Sequence, residues 1–215
     1  MITVIAEAAN RALTTVERVK EQFQILGDVD DAYLARAVLK AGAHIERWCN
    51  RRFAWQTVTE ALASNGGCEL LLAKRPVVSV AAVAVCGEAL DLAEVLLTDP
   101  EAGIIFRRSG FRSTAVHERF LISEQPSGYY AAPDWTVQYT AGFVCFGAAE
   151  EVAPAGVAAL PEDLVGIATE LVGIFYDDRA RNVLLKTDSE GEASSDYRTL
   201  EEFLEDRAWM WRFRT

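Results

Sequence analysis

The chain has 215 residues, 32 of them acidic and 21 basic, for a net charge of −11. With 51% hydrophobic and 25% charged residues it is a folding sequence, which excludes global disorder, a collagen-like repeat and a low-complexity chain. The acidic balance argues against affinity for a phosphate backbone, because non-specific nucleic-acid binding depends on Lys and Arg displacing counterions. The length fits one compact domain with extensions. Every apolar run is broken before the roughly 18 residues that a membrane span needs. Met1 to Arg11 carries Glu7 and no basic segment ahead of an apolar one, so it does not read as a secretory signal, and the chain is expected to be soluble and intracellular. Cys49, Cys68, Cys86 and Cys145 are scattered without a CxxC pair, which predicts reduced, buried thiols rather than a disulfide framework or a zinc site.

In chain order, the first element is a short helix over residues 14–26. Thr14 and Glu17 make a capping box, and Val16, Val19 and Phe23 follow at helical spacing. Asp28, Asp30 and Asp31 then offer N-cap carboxylates for a longer helix over 31–49, whose buried stripe is Leu34, Val38, Ala41, Ile45 and Trp48. A calcium loop is the weaker reading of these aspartates, because Tyr33 stands where such a loop needs glycine. From residue 51 the period changes to that of a sheet. Phe53 and Trp55 share a face, Asn65-Gly66-Gly67 marks a turn, and the valines of 77–85 follow Pro76. Residues 104–107, 119–123 and 135–140 read as further strands, with loops at 108–117 and 124–133.

Pro161, Glu162 and Asp163 open a third strong helix over 161–178, with an apolar stripe of Leu164, Ile167, Ala168, Leu171, Ile174 and Phe175. Gly166 and Gly173, one heptad apart in it, give up helix propensity and would let another backbone approach closely. Residues 186–198 are polar and acidic and predict a flexible linker. Thr199 and Glu202 then cap a last helix over 199–215, with acids first and arginines last. One reading folds this helix back on the core. The other makes it a docking arm, because Phe203, Arg207, Trp209, Trp211, Arg212, Phe213 and Arg214 are residue types that dominate binding hot spots.

No motif for phosphate cradling, nucleophilic catalysis or zinc hydrolysis occurs, so no catalytic, cofactor or metal residue is assigned and no enzyme activity is expected. His44 and His117 are isolated and read as structural or solvated. Asp177 and Asp178 beside Arg179 and Arg181 read as a surface ion-pair cluster.

Three stretches carry a resemblance. The long helix closes in Ile45-Glu46-Arg47-Trp48-Cys49-Asn50-Arg51-Arg52-Phe53. A strand then ends in Val137-Gln138-Tyr139-Thr140-Ala141-Gly142-Phe143. Finally, Leu160-Pro161-Glu162-Asp163-Leu164 opens a helix that Tyr176-Asp177-Asp178-Arg179 closes. In order and spacing, over about Ala12 to Arg181, the chain resembles the head–tail connector (adaptor) family of tailed bacteriophages and gene transfer agents.

The resemblance implies a non-enzymatic virion protein. It would form a homo-oligomeric ring, most often twelvefold, beneath the portal protein at the capsid vertex. A tail-side head-completion or tail-terminator protein would bind its other face, and DNA would pass through without sequence-specific binding. With the pattern, it implies an α+β fold: a helical bundle of about four helices with an antiparallel β insertion. The connector core would span 1–185 with the β insertion at 51–146, followed by the linker and a C-terminal helix that docks on the portal. Gly166 and Gly173 become candidates for head-to-tail contacts between subunits. The other classes left open are a different neck ring, either head-completion or tail-terminator, and a small-ligand enzyme with a site built from unremarkable residues.

Overall fold

The computed structural model describes residues 1–112, 135–147, 152–180, 187–190, 193–196, 203 and 205. The chain divides into two compact units. One comprises Met1–Ala9, Ala54–Val144 and Glu150–Ala159, the other Asn10–Phe53, Cys145–Ala149 and Leu160–Thr215.

The first unit is made of sheets. Strands β1 (Ile2–Glu7), β2 (Gln56–Leu62), β3 (Glu69–Leu71), β4 (Val77–Val85), β5 (Glu88–Ala89), β6 (Val95–Asp99), β7 (Ile104–Arg107) and β8 (Trp135–Ala141) form two antiparallel sheets, ordered β1-β2-β8-β4-β5 and β3-β7-β6. Strand β8 is central, paired with β2 from Gln56↔Ala141 to Leu62↔Trp135 and with β4 from Val77↔Ala141 to Val85↔Trp135. Its alternate residues Trp135, Val137 and Tyr139 are fully buried, and Val58, Val77 and Val83 from the same sheet meet Leu70, Leu72, Ile105 and Phe111 in one core. The Phe111 ring stands edge-on to Trp135 at 5.1 Å, and the Trp135 indole N–H donates to the carbonyl of Arg112 at 2.9 Å.

The second unit carries the helices α1 (Val16–Phe23), α2 (Asp31–Cys49) and α3 (Glu162–Asp177). Each buries one stripe, Leu34, Val38, Ala41 and Ile45 from α2 against Leu164, Ala168, Leu171 and Val172 from α3, with Val19 from α1. Strands β9 (Thr187–Glu190) and β10 (Ala193–Asp196) pair antiparallel, so a two-stranded ribbon occupies part of the segment expected to be a linker.

These findings correct the expected bundle of about four helices with a β insertion. Among the described residues there are three α-helices, against eight strands in two antiparallel sheets and the additional ribbon. The sheet region is no insertion between helices, because β1 joins it from the chain's first residues and its two sheets enclose a core of their own. No helix of the described residues is long and apolar enough to cross a membrane. The expected strand at 119–123 and most of the two loops lie outside the described residues.

Candidate assembly surface

The helical unit is fastened by polar contacts that fix where its outer faces point. The α1 N-cap is Thr15, whose hydroxyl accepts from the Arg18 amide at 3.3 Å. Thr14, the expected cap, is instead buried. The Thr169 hydroxyl gives its proton to the Val165 carbonyl at 2.8 Å and accepts from Thr14 at 2.7 Å. The Glu17 carboxyl is held below its ordinary range by its own backbone amide and then by Thr15. Arg18 grips Glu162 at the start of α3 through both guanidinium nitrogens, at 2.8 and 3.3 Å, which lowers the Glu162 pKa and raises that of Arg18. Lys20 reaches Asp31 at 2.8 Å and Asp28 at 2.9 Å, and both raise its pKa.

Asp30 was expected to cap α2 with its side chain, and it makes no such bond. Its carboxylate instead accepts from the Tyr176 hydroxyl at 2.6 Å and from Arg179 Nη1 at 2.9 Å. These bonds, Tyr176 first, pull the Asp30 pKa down, while Asp30 pushes up those of Tyr176 and Arg179. The Arg179 guanidinium also lies over the Tyr176 ring at 4.0 Å. The Tyr-x-x-Arg ending of α3 is therefore a clasp on the start of α2, in which Arg179 pairs with Asp30. Tyr33 of α2 adds a hydrogen bond from its hydroxyl to the Phe175 carbonyl.

The two long helices also carry stripes of opposite charge, in which Asp163 and Glu170 already have partners. Arg36, Lys40, His44 and Arg47 fall within an arc of about 80° on α2 at roughly 3.6 residues per turn. The three long cations are exposed and make no ion pair with a carboxylate among the described residues. The Lys40 ammonium sits 4.1 Å from the centre of the Phe175 ring, and His44 lies beside the same ring at 5.8 Å. Burial and then the charges of Lys40 and Arg47 depress the His44 pKa. On α3, Asp163, Glu170 and Asp177 repeat every seventh residue and lie within an arc of about 40°, with Asp163 and Asp177 exposed and Glu170 half-buried.

The two glycines expected at subunit contacts differ. A Cβ at Gly173 would collide with the ring of Phe23 from α1, so that close approach is already taken within the chain. At Gly166 a Cβ would meet nothing within 4 Å, which leaves a notch beside the acidic stripe. Of the docking candidates, Phe203 is helical and only 7% exposed, so its ring packs into this chain. Arg207, Trp209, Trp211, Arg212, Phe213 and Arg214 lie outside the described residues, as do His117 and Arg181. All four cysteines are free thiols, but only Cys49 and Cys145 are buried, whereas Cys68 and Cys86 are exposed.

In the sheet unit, the strand end that carries the resemblance is itself a junction. The Tyr139 hydroxyl, fully buried, donates to Glu60 Oε2 at 2.6 Å and accepts from the Lys74 amide at 3.0 Å; the same Glu60 oxygen takes the Ala73 amide at 3.0 Å. Burial foremost, and then Glu60, pushes the Tyr139 pKa far above the ordinary phenol range. Thr140 pairs with the Thr57 hydroxyl at 2.9 Å, and Gly142, at a φ of 110° that disfavours a side chain, donates to the Pro76 carbonyl at 2.9 Å.

The described residues contain no group of three or more His, Cys, Asp or Glu placed to hold a metal ion. A cleft of the helical unit is lined by Ala12, Thr14, Thr15, Val38, Leu39 and Phe146, with Glu17 as its one carboxylate. Another, in the sheet unit, has Glu94 and Arg108 among Ala93, Leu96, Phe106 and Ser109, and Glu94 is bonded to Arg107 at 2.7 Å. Neither cleft assembles an acid–base pair or a nucleophile with its base. No protein-family model matches the chain, and no curated protein matches it.

Proposed function

We propose that this protein is a structural head–tail adaptor. Copies of it form a ring beneath the portal protein of a phage-like particle, receive a head-completion or tail-terminator protein on the tail side, and surround the path of the DNA. It works in the neck of the virion after assembly in the host cytoplasm. The work is mechanical: it needs no cofactor, and its acidic character keeps it from gripping the phosphates that slide past.

The observation that carries this reading is the Asp30–Tyr176–Arg179 clasp together with the Tyr139 junction. The residues behind the resemblance to the adaptor family are the ones that hold this fold in shape. Tyr176 and Arg179 fix the end of α3 to the start of α2. Tyr139 and Gly142 fix the end of β8 to Glu60 and Pro76. An adaptor must transmit load between capsid and tail without shearing, and a helical layer locked by charge-assisted bonds suits that task. The enlarged sheets add surface for a neighbouring ring. The docking arm on the portal is residues 207–214, with Phe203 serving as the internal anchor that holds the arm to its own subunit.

The test is to produce particles with and without this chain. The reading expects DNA-filled heads lacking tails in its absence, restored when the chain is supplied. Normal tailed particles without it would overturn the reading.

A further inference from the structure

We infer that copies of this chain join head to tail, the tip of the α1–α2 turn, Leu26 and Val29, entering the apolar cleft beside α1 and α2 of the next copy. The inference rests on the adaptor reading for the ring itself and adds which surfaces close it.

The turn is a fixed knob. Leu26 is 93% exposed and Val29 95%. One exposed aliphatic residue means little, but two within four residues form a local apolar surface. The backbone around them is pinned. Gly27 takes a φ of 80°, the Asp28 carboxylate is held by Lys20 at 2.9 Å, and the Asp28 carbonyl accepts from the Asp31 amide at 3.3 Å. On the other side Asp30 is held in the clasp by Tyr176 and Arg179. Val29 therefore stands out between two fastened aspartates, and little conformational freedom is lost when a partner covers it.

The cleft is the matching hole. Its volume is about 400 Å³, well above the roughly 150 Å³ that holds a benzene-sized group, and Ala12, Ala35, Val38, Leu39 and Phe146 supply its apolar walls. Its one carboxylate, Glu17, is turned onto its own backbone amide and Thr15. Among the described residues of the helical unit, Leu26, Val29 and Leu39, the last 61% exposed, are the large apolar side chains more than half exposed. One contact between two copies covers all three, which singles out a second copy as the occupant.

Charge agrees with that choice. The Asp28 side chain stays largely exposed despite its bond to Lys20. Arg36 stands three residues before Leu39, hence beside it on the α2 surface, exposed and without a carboxylate partner among the described residues. An Asp28 that arrives with Val29 meets Arg36 at the rim, where charge sets the register and the aliphatic side chains supply the burial.

Knob and hole lie at opposite ends of α1. Leu26 follows its last residue, Phe23, whereas Thr15 and Val16 border the cleft at its start, about 12 Å away at about 1.5 Å rise per residue. A copy cannot fill its own cleft. Each gives its knob to one neighbour and its hole to the other, the heterologous contact that closes rings rather than stopping at a dimer.

The experiment uses the full chain as wild type, L26D/V29D, A35W, L39D and R36E. Association is read by sedimentation velocity at low and physiological salt, with circular dichroism melts alongside. Wild type is expected to form species larger than a dimer. L26D/V29D loses the knob, and A35W fills the cleft from an exposed helical position; each should associate about a hundredfold more weakly and melt as wild type does. L39D tests the hole independently, from its exposed rim, and is expected to act as A35W does. R36E should weaken association about tenfold at low salt and less as salt rises. In an equal mixture of L26D/V29D and A35W, the knob of the second meets the intact cleft of the first and no further surface is left, so dimers and nothing larger should form. That partial rescue also shows that both are folded.

Wild type that stays monomeric at high concentration, variants that associate as wild type does, or a mixture that stays monomeric or grows beyond dimers would each overturn the inference. Knob variants that associate normally but no longer attach to portal-bearing capsids would give the knob to another protein and overturn it too. Association by another face would sink this contact and leave the adaptor reading standing. Tailed particles made without the chain would sink the adaptor reading whatever the sedimentation shows.

Discussion

Replacing Tyr139 by Phe removes one oxygen and leaves the fully buried ring in place, so the packing contribution is untouched and only the polar junction is lost. The hydroxyl makes two bonds, donating to the Glu60 carboxylate at 2.6 Å and accepting from the Lys74 amide at 3.0 Å. A hydrogen bond to a charged partner contributes about 1.5–3 kcal/mol, and a second buried group left unsatisfied keeps the expected loss near the upper end, about 2–3 kcal/mol. For a chain of this length that corresponds to a melting shift of about 5–10 °C. Urea denaturation followed by Trp fluorescence reads it directly, because Trp135 lies in the same core. Adding E60Q to Y139F should cost less than the sum of the two single losses, by about 1 kcal/mol, because the two side chains share one bond.

The same contact sets an alkaline limit. The folded pKa of Tyr139 lies above the unfolded value, so its contribution is complete below about pH 10 and is lost as pH rises beyond that. The difference between wild type and Y139F should shrink there. A Y139F loss below about 0.5 kcal/mol, or full additivity with E60Q, would refute the argument that this junction holds β8 to β2.

At acid pH the clasp on α3 gives the opposite sign. The Asp30 pKa is lowered, so its contribution is present above the unfolded value near 4 and is lost as pH falls through the lower folded one; D30N should narrow its gap from wild type below about pH 4 in pH-dependent melts. G173A gains about 1 kcal/mol of helix propensity but drives a Cβ into the Phe23 ring, an overpacking that costs about 1–3 kcal/mol. It should therefore be neutral to destabilising alone and stabilising by about 1 kcal/mol in an F23A background, as read by chemical denaturation. F203A should cost about 3 kcal/mol in stability, the order expected for truncating a buried Phe. W209A/W211A should leave the melting temperature within about 2 °C and abolish attachment to portal-bearing capsids in a pull-down; normal attachment would remove the arm from the account.

The helices were legible because their apolar stripes repeat at helical spacing over many residues. Residues 31–49 match α2 throughout, and α1 and α3 lie inside their expected spans. Polar roles were harder. Thr14 and Thr15 offer the same cap chemistry, and only the buried bond to Thr169 decides which one is free to cap. Asp30 reads as a cap because it stands before a helix, but its partners Tyr176 and Arg179 are nearly 150 residues away, where local pattern carries no information.

Strand β1 went unread because all six of its residues are exposed on the sheet's edge, so no buried face imposes alternation on Ile2, Val4 and Ile5. That omission, with the short strands β3, β5 and β6, is why the chain reads as more helical than it is. The basic stripe of Arg36, Lys40, His44 and Arg47 was legible at 3.6-residue spacing and was hidden by the net charge, which averages over faces that the fold keeps apart.

Electron microscopy of the neck of purified particles that carry this chain tests the central claim most directly. The adaptor account predicts a ring between portal and tail whose repeating unit fits the two sheets and the three-helix layer. A neck fully accounted for by other proteins, with this chain absent from the particle, would contradict it.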